Sequence, residues 1–221
     1  MSRVIIVLTM TTKKAPLIII DGIDGSGKST QTELLKERFS DGQIIFSRQP
    51  GGTPLSEMIR DVFSSVEAVE ASASTQFFLM WASRTNWLEK VVIPNTEKGT
   101  PVISNRGDSA TYAYQVYARE APELEETFWR IRDFVMDKHK AKVHIIIDIP
   151  AKEARRRMNL DKNRVKSLFD LKPLDYHERA RAGFRAFSEK LPGQVIIVDG
   201  DRDRETIHKE VYAIVHNACG F

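Results

Sequence analysis

Residues 17–30 read LIIIDGIDGSGKST. An unbroken apolar run of strand length passes into a glycine-rich loop, and the loop passes into a segment whose Leu34, Leu35 and Phe39 share one helical face. Gly22, Gly25 and Gly27 let the backbone bend so that successive N–H groups converge, and the start of the following helix adds positive potential. A loop of this kind between strand and helix is suited to gripping phosphate oxygens.

Gly22, Gly27, Lys28 and Ser29 satisfy G-x-x-x-x-G-K-[ST], with strand before and helix after. Lys28 is expected to reach the outer phosphates of a nucleoside triphosphate as a compact cation, and the Ser29 hydroxyl to ligate Mg²⁺. The expected ATP-binding loop is Gly22, Ile23, Asp24, Gly25, Ser26, Gly27, Lys28, Ser29 and Thr30. The guanine-reading N/T-K-x-D pattern of small GTPases is absent, and 221 residues leave little room for the extra domains of motors. Both facts favour a small-molecule kinase.

Composition narrows the classes further. Thirty-three basic residues against 30 acidic ones leave a net charge of +3, too balanced to argue for a nucleic-acid or membrane surface. An apolar content of 42% supports one buried core. The single Cys219 has no internal partner, no N-x-[ST] site occurs, and no apolar stretch reaches membrane-spanning length, so a cytoplasmic setting is expected. Residues 1–15 are expected to be a short leader, with Met10 an alternative start, ahead of a single domain over 16–221. The five histidines show no metal-ligand spacing.

Periodicity places strands at 17–21, 44–47, 101–104, 143–149 and 194–198, separated by helical patterns. Pro54 opens a helix through Phe63; a longer helix runs from about Thr75 to Ile93 and is expected to stop at Pro94. VEAVEASAS (66–74) reads as a connector. Continuous apolar strands alternating with helices imply an α/β fold, a five-stranded parallel sheet with helices on both faces. Ligands collect where loops leave the ends of such strands, and arginines stand there. Arg48 leads SRQPGGTPLSEMIR (47–60), and Arg106 lies in ISNRGDSATYAYQ (103–115), with Thr111, Tyr114 and Gln115 on the helix that follows. FFLMWASR (77–84) puts Met80 and Arg84 on one helical face with Trp81 alongside.

Over about residues 17–215 the chain resembles thymidylate kinases, enzymes of the P-loop nucleoside monophosphate kinase fold that move the γ-phosphoryl of ATP to dTMP. The resemblance rests on the loop with its interior Asp24, the R-x-P-G-G-T-P-L segment, the aromatic-rich helix ending at Arg84, and the S-x-R…T-x-A-Y-Q run, in the family's order. It implies that Arg48 and Arg84 hold the acceptor monophosphate, with Pro50, Met80, Trp81, Arg84, Thr111, Tyr114 and Gln115 around the acceptor. Asp24 would contact the sugar hydroxyl or a metal-bound water, and Arg106 would bridge the phosphates being joined. Residues of about 153–170 correspond to the lid over ATP, whose Arg155, Arg156, Arg157 and Arg164 are candidates for neutralising transition-state charge. A homodimer is implied too, with the helix Phe77–Ile93 as candidate interface. The chain departs from the family pattern at Asn105 (usually Asp), Gly107 (commonly aromatic), Gln49 (usually Glu) and Met80 (commonly Phe), and Asp24 or Asp148 is a candidate to take over the metal. A kinase for another deoxynucleoside monophosphate, and a nucleotide-binding homologue without turnover, are the alternatives.

Overall fold

Strands of continuous Ile, Val and Leu have no polar face to give to water, so they are stable only in a sheet covered on both sides. The computed structural model, which describes residues 14–162 and 165–221, has that arrangement. In chain order the first half comprises β1 (Leu17–Asp21), α1 (Lys28–Lys36), β2 (Ile45–Arg48), α2 (Pro54–Phe63), α3 (Val66–Glu70), α4 (Ala73–Trp87), α5 (Ile93–Glu97) and β3 (Val102–Asn105). The second half comprises α6 (Asp108–Thr111), α7 (Leu124–Met136), β4 (Val143–Asp148), α8 (Ala151–Leu160), α9 (Leu174–Lys190), β5 (Val195–Asp199) and α10 (Arg204–Cys219). The strands form one parallel sheet in the order β2-β3-β1-β4-β5. From β1 the chain crosses to the edge at β2, returns inward to β3 and then passes to β4 and β5 on the other side, so the reversal point lies between the carboxyl ends of β1 and β3.

Alternation along β1 divides the interior into two layers. Leu17 and Ile19 face a layer rich in rings, including Phe77, Trp87, Tyr112, Phe128, Phe184 and Phe187. Ile18 and Ile20 face an aliphatic layer with Leu35 from α1 and Val211 and Val215 from α10. Trp129 and Phe187 stack at 5.7 Å and 13° on the aromatic side. Most apolar residues expected to face a partner on the 77–93 helix, among them Phe77, Trp87, Leu88 and Val92, lie in this core instead. Exposed apolar side chains occur on α2 (Leu55, Met58, Val62) and at Phe78.

Two expectations about elements are corrected. The segment read as a connector contains α3, capped by Ser65, whose side chain accepts the Ala68 N–H. Pro94 does not end the long helix: α4 widens into a π-helical stretch at Leu88–Val92 and continues as α5. Pro94 sits in the first turn of α5, directly after the π-helical stretch. A second π-helical stretch, Tyr112–Ala118, extends α6. The leader expected over 1–15 falls outside the described residues except for Lys14 and Ala15, and the Ala15 N–H donates to the Thr96 carbonyl.

Beneath the carboxyl edge the core carries charge. Asp108 has no solvent exposure and takes Arg132 Nε at 2.5 Å, with His144 Nε2 at 3.7 Å. Burial alone would raise its pKa, but His144, Arg132 and Arg84 around it bring it down to about 2. An aspartate held below its unfolded value near ~3.9 stabilises the fold above that pH and loses the contribution as pH falls toward the folded value. Asp108→Asn is therefore expected to cost about 3–5 kcal/mol at neutral pH by leaving Arg132 buried without its anion. It should also flatten the pH dependence of stability between roughly pH 4 and 2, measured by denaturant unfolding across that range.

Candidate active site

At the end of β1 the chain turns through Gly22–Gly27 into α1, whose first residue is Lys28. Gly22 is required on two counts: its φ is +140°, and a Cβ there would lie 2.4 Å from the Ile147 carbonyl oxygen. Gly27, at φ +103°, occupies the N-cap position of α1 and leads directly into the helix start. Lys28 is buried and its Nζ donates to the carbonyls of Gly22 (2.9 Å) and Ile23 (2.7 Å), which holds the ammonium across the mouth of the loop. Ile23 faces the aromatic core and contributes backbone only. The loop lines an open cleft of about 680 Å³ with Thr30, Arg48, Asn105, Arg106, Arg157, Arg202 and Arg204.

A second chamber of about 300 Å³ adjoins it, between α2, α4, α6 and α9. Pro50, Met80, Arg84, Arg106, Thr111, Tyr114 and Gln115 line it as the sequence suggested, together with Asp24, Gln49, Arg60 and Tyr176. Trp81 does not line it. The ring packs against Phe128 in the core and lies 4.6 Å under the Arg84 guanidinium, a cation–π contact. Arg48 is placed apart as well: it is exposed, lines the loop cleft, and pairs with Glu57 at 3.0 Å. That glutamate also accepts the Gly52 N–H at 2.8 Å, which folds the 48–52 turn back on α2.

Arg84 is the buried cation of the chamber. It donates from Nε to Gln49 Oε1 (2.8 Å) and from Nη2 to the Gly107 carbonyl (2.7 Å) and Thr111 Oγ1 (3.0 Å). Burial drives its pKa down to about 10 against the opposing fields of Asp108 and Asp21. Because Gln49 Oε1 accepts from Arg84, its amide is turned with Nε2 away from that guanidinium. Gln49 Nε2 and Arg84 Nη1 are buried donors with no hydrogen-bond partner among the described residues, and both belong to chamber-lining side chains. Tyr176 adds a third unpaired polar atom, its hydroxyl. Such groups suit a ligand carrying oxygens.

The two spaces meet at Asp24, Gln49, Arg60 and Arg106, which line both. Arg106 follows β3 in the left-handed region, φ +73°, and its guanidinium pairs with Asp24 and lies 5.3 Å from the Tyr114 ring. Burial opposes the charge on Arg106, but Asp24, then Tyr114 and Asp21, hold its pKa above the ordinary value. The Tyr114 hydroxyl donates to the other Asp24 oxygen at 3.2 Å. Gly107 has no room for the aromatic side chain expected from the resemblance, since a Cβ would meet Ile19 Cγ2 at 2.7 Å. Arg60 went unnoticed in the sequence; it donates to the Pro50 carbonyl at 3.0 Å. The available signal was its place one helical turn after Ser56, the buried residue of α2.

Three further expectations are revised by placement. Asp148 is removed from any metal role by Arg181 (2.7 and 3.0 Å) and Arg185 (2.6 Å) from α9. Of the lid arginines, Arg157 reaches the loop cleft, bridging Glu153 (2.8 Å) and the Gly200 carbonyl (3.0 Å). Arg155 instead donates to the Lys172 carbonyl, and Arg156 is exposed on Glu153. Arg164 lies outside the described residues. For a magnesium ion the donor set is spare: Asp24 is engaged by Arg106 and Tyr114, while Ser29 Oγ receives Asn105 Nδ2 at 3.2 Å. Among the described residues no group of three or more His, Cys, Asp or Glu forms a metal cluster. One hydroxyl still fits Mg²⁺, which retains water and phosphate ligands readily. No described helix is long and apolar enough to cross a membrane.

The chain is similar to known proteins over most of its length. The family profile described as thymidylate kinase matches residues 20–211. The thymidylate kinase of Chlamydia caviae is 35% identical over 190 residues, covering 85% of this chain and 91% of that one. The thymidylate kinase of Clostridium novyi is 31% identical over 200 residues, covering 90% and 97%. The solved thymidylate kinase structure from Ehrlichia chaffeensis aligns with a TM-score of 0.72 at 24% identity, covering 92% of this chain and 99% of that one, which shows the shared fold.

Arg84 is desolvated without an ion-pair partner of its own among the described residues, since the Asp108 carboxylate is bonded to Arg132 instead. Arg84→Met, of similar length, is expected to leave unfolding free energy within about 1 kcal/mol of the parent. Nucleotide affinity in the smaller chamber should fall roughly 10–100-fold, read by calorimetric titration.

Proposed function

The chain belongs to the thymidylate kinase family, and on that premise we propose that it catalyses Mg²⁺-assisted transfer of the γ-phosphoryl of ATP to dTMP. The observation that carries this reading is the shared wall. A phosphate-gripping cleft and a chamber lined by unpaired buried donors open onto one another at Arg106. Two nucleotides seated there would present their phosphates to the same guanidinium.

Phosphoryl transfer asks the protein mainly to hold two anions in line and to neutralise charge. The amides of residues 22–29 and Lys28 secure the donor phosphates. Arg106 spans the junction, anchored by Asp24. Arg84, Gln49, Thr111 and Gln115 orient the acceptor base and Met80 supplies a polarizable apolar contact. Arg60, which lines both spaces, faces the acceptor phosphate, and Arg48 lines the loop cleft beside it. Mg²⁺, when bound to the triphosphate and to Ser29, neutralises charge on the donor phosphates. Arg157, from the base of the lid, is the described lid arginine best placed to add charge on the donor side, which supports a lid-supplied arginine. The exposed apolar side chains of α2 are the surface we assign to a homodimer, in place of the 77–93 helix.

A coupled assay of ADP release tests the reading. Turnover is expected with dTMP as acceptor and little with other common deoxynucleoside monophosphates; preference for another base supports the alternative kinase, and no release with any acceptor defeats the proposal. Arg157→Ala is expected to lower kcat by about 10²-fold with KM for dTMP little changed. Arg156→Ala, on the solvent side, should leave both constants near the parent's.

Asn105 marks a second test. An amide donates to the Ser29 hydroxyl where a carboxylate would accept. Asn105→Asp is expected to lower the Mg²⁺ concentration for half-maximal rate several-fold; an unchanged magnesium dependence would show that position 105 plays no part in holding the metal.

A further inference from the structure

Asp21 ends β1 and has no exposure to solvent. A carboxylate in such a place persists only if its oxygens are well supplied with donors. Its Oδ1 accepts the N–H of Gly22, the first residue of the phosphate loop, at 3.0 Å. Its Oδ2 accepts the Gly107 N–H at 3.1 Å and the Ser109 hydroxyl at 2.8 Å. Arg106 Nη1 stands 4.0 Å from Oδ1. Burial pushes the carboxyl's pKa up, while Arg106 and Lys28 favour the charged form.

The contacts are shared between two loops that serve different nucleotides. One is the start of the donor loop; the other is the turn that carries Arg106. That turn stores strain, since a left-handed backbone is unfavourable for a non-glycine residue, and Arg106 has φ +73°. It is pinned before the strained residue by the Arg106 N–H to the Ile20 carbonyl, at 2.9 Å, and after it by Asp21. Asparagine could not replace the acid without loss. It has the same shape, but its NH₂ would confront one of the N–H groups that now meet an oxygen.

We propose that Asp21 is a positioning residue for phosphoryl transfer: it locks the Arg106 turn to the first glycine of the phosphate loop, so that the guanidinium is aimed at the junction of the two chambers. The proposal rests on the reading of Arg106 given above. Asp21 lines neither chamber. It acts through Arg106, and displacement of a charge-neutralising group by about 1 Å is enough to cost on the order of 10²-fold in rate.

A double-mutant cycle separates this role from general support of the fold. In the parent background Asp21→Asn is expected to lower kcat about tenfold or more, and in an Arg106→Ala background by less than about twofold, because the group being aimed is gone. An equal loss in both backgrounds overturns the proposal. Should Asp21→Asn not fold, Ser109→Ala removes one of the bonds to Oδ2 and is taken through the same cycle, with a smaller loss expected in the parent and none without Arg106. Hydrogen exchange needs no turnover: the Gly107 amide is expected to exchange at least tenfold faster in the variant, and unchanged protection overturns the proposal whatever the activity. Absence of turnover with dTMP in the parent would defeat the functional reading, while the exchange measurement would still decide the role of Asp21.

Discussion

A guanidinium taken out of water must bring an anion with it or surrender its charge, and the protein has buried several beneath one cleft. Arg132 is answered by Asp108, and Arg106 by Asp24 with Asp21 behind it. Arg84 leans on the more distant fields of Asp108 and Asp21 and gives up part of its basicity. The carboxylates come from the end of β1, the loop after it and the start of α6, whereas Arg84 and Arg132 come from helices packed on the aromatic layer. The electrostatic requirement therefore determines which helices lie against which strand ends. The ring-rich core under α4, α7 and α9 is the low-dielectric medium in which that pairing takes effect.

Under the proposed function, the same pairing lets one small domain bring two polyanions together. Cations exposed in water would be screened and free to move; cations fixed in pairs along a buried seam keep their geometry. Arg106 belongs to both chambers because a left-handed turn redirects the chain at the end of β3, and the Gly107 that follows lies flush against Ile19. Position 107 is therefore governed by packing on β1, and under the proposed function selection of the acceptor falls to Gln49, Met80, Arg84 and Gln115.

Much of this was legible in the sequence for a physical reason: the strongest signals were local. The strand–loop–helix of residues 17–36, the Thr53-capped α2 and the apolar strands each announce themselves within a dozen residues, and the parallel sheet follows from their alternation. Thr111 and Gln115 were found because they lie on the helix that follows β3, and Met80 and Arg84 because a spacing of four puts them on one face of α4, with their acceptor role coming from the resemblance. What escaped was relational. Trp81 looked like a ligand contact and is core, since spacing alone cannot say on which side of Arg84 a ring lies. Asp148 looked available until Arg181 and Arg185, more than thirty residues later, were brought onto it by α9. Asp21, part of the opening apolar run, gave no sign that its oxygens would join residues 22, 107 and 109. Pro94 misled because its usual effect presumes a regular α-helical ladder, and the chain had already left that ladder at Leu88.

The wide turns have a consequence for how this chain can tolerate changes in length. In an α-helix each residue advances the face by about 100°, so one surplus residue absorbed in a π turn resets the phase of everything beyond it. The stretch Tyr112–Ala118 carries Tyr114 and Gln115 at the chamber wall and passes Ala118 on to meet Arg179 of α9. Trimming a single amino acid from this stretch would regularise the spiral yet swing its downstream half through more than a quarter of a circle, parting those two commitments. Regularity of the helix and alignment of its two ends are here mutually exclusive, and the chain has kept the alignment.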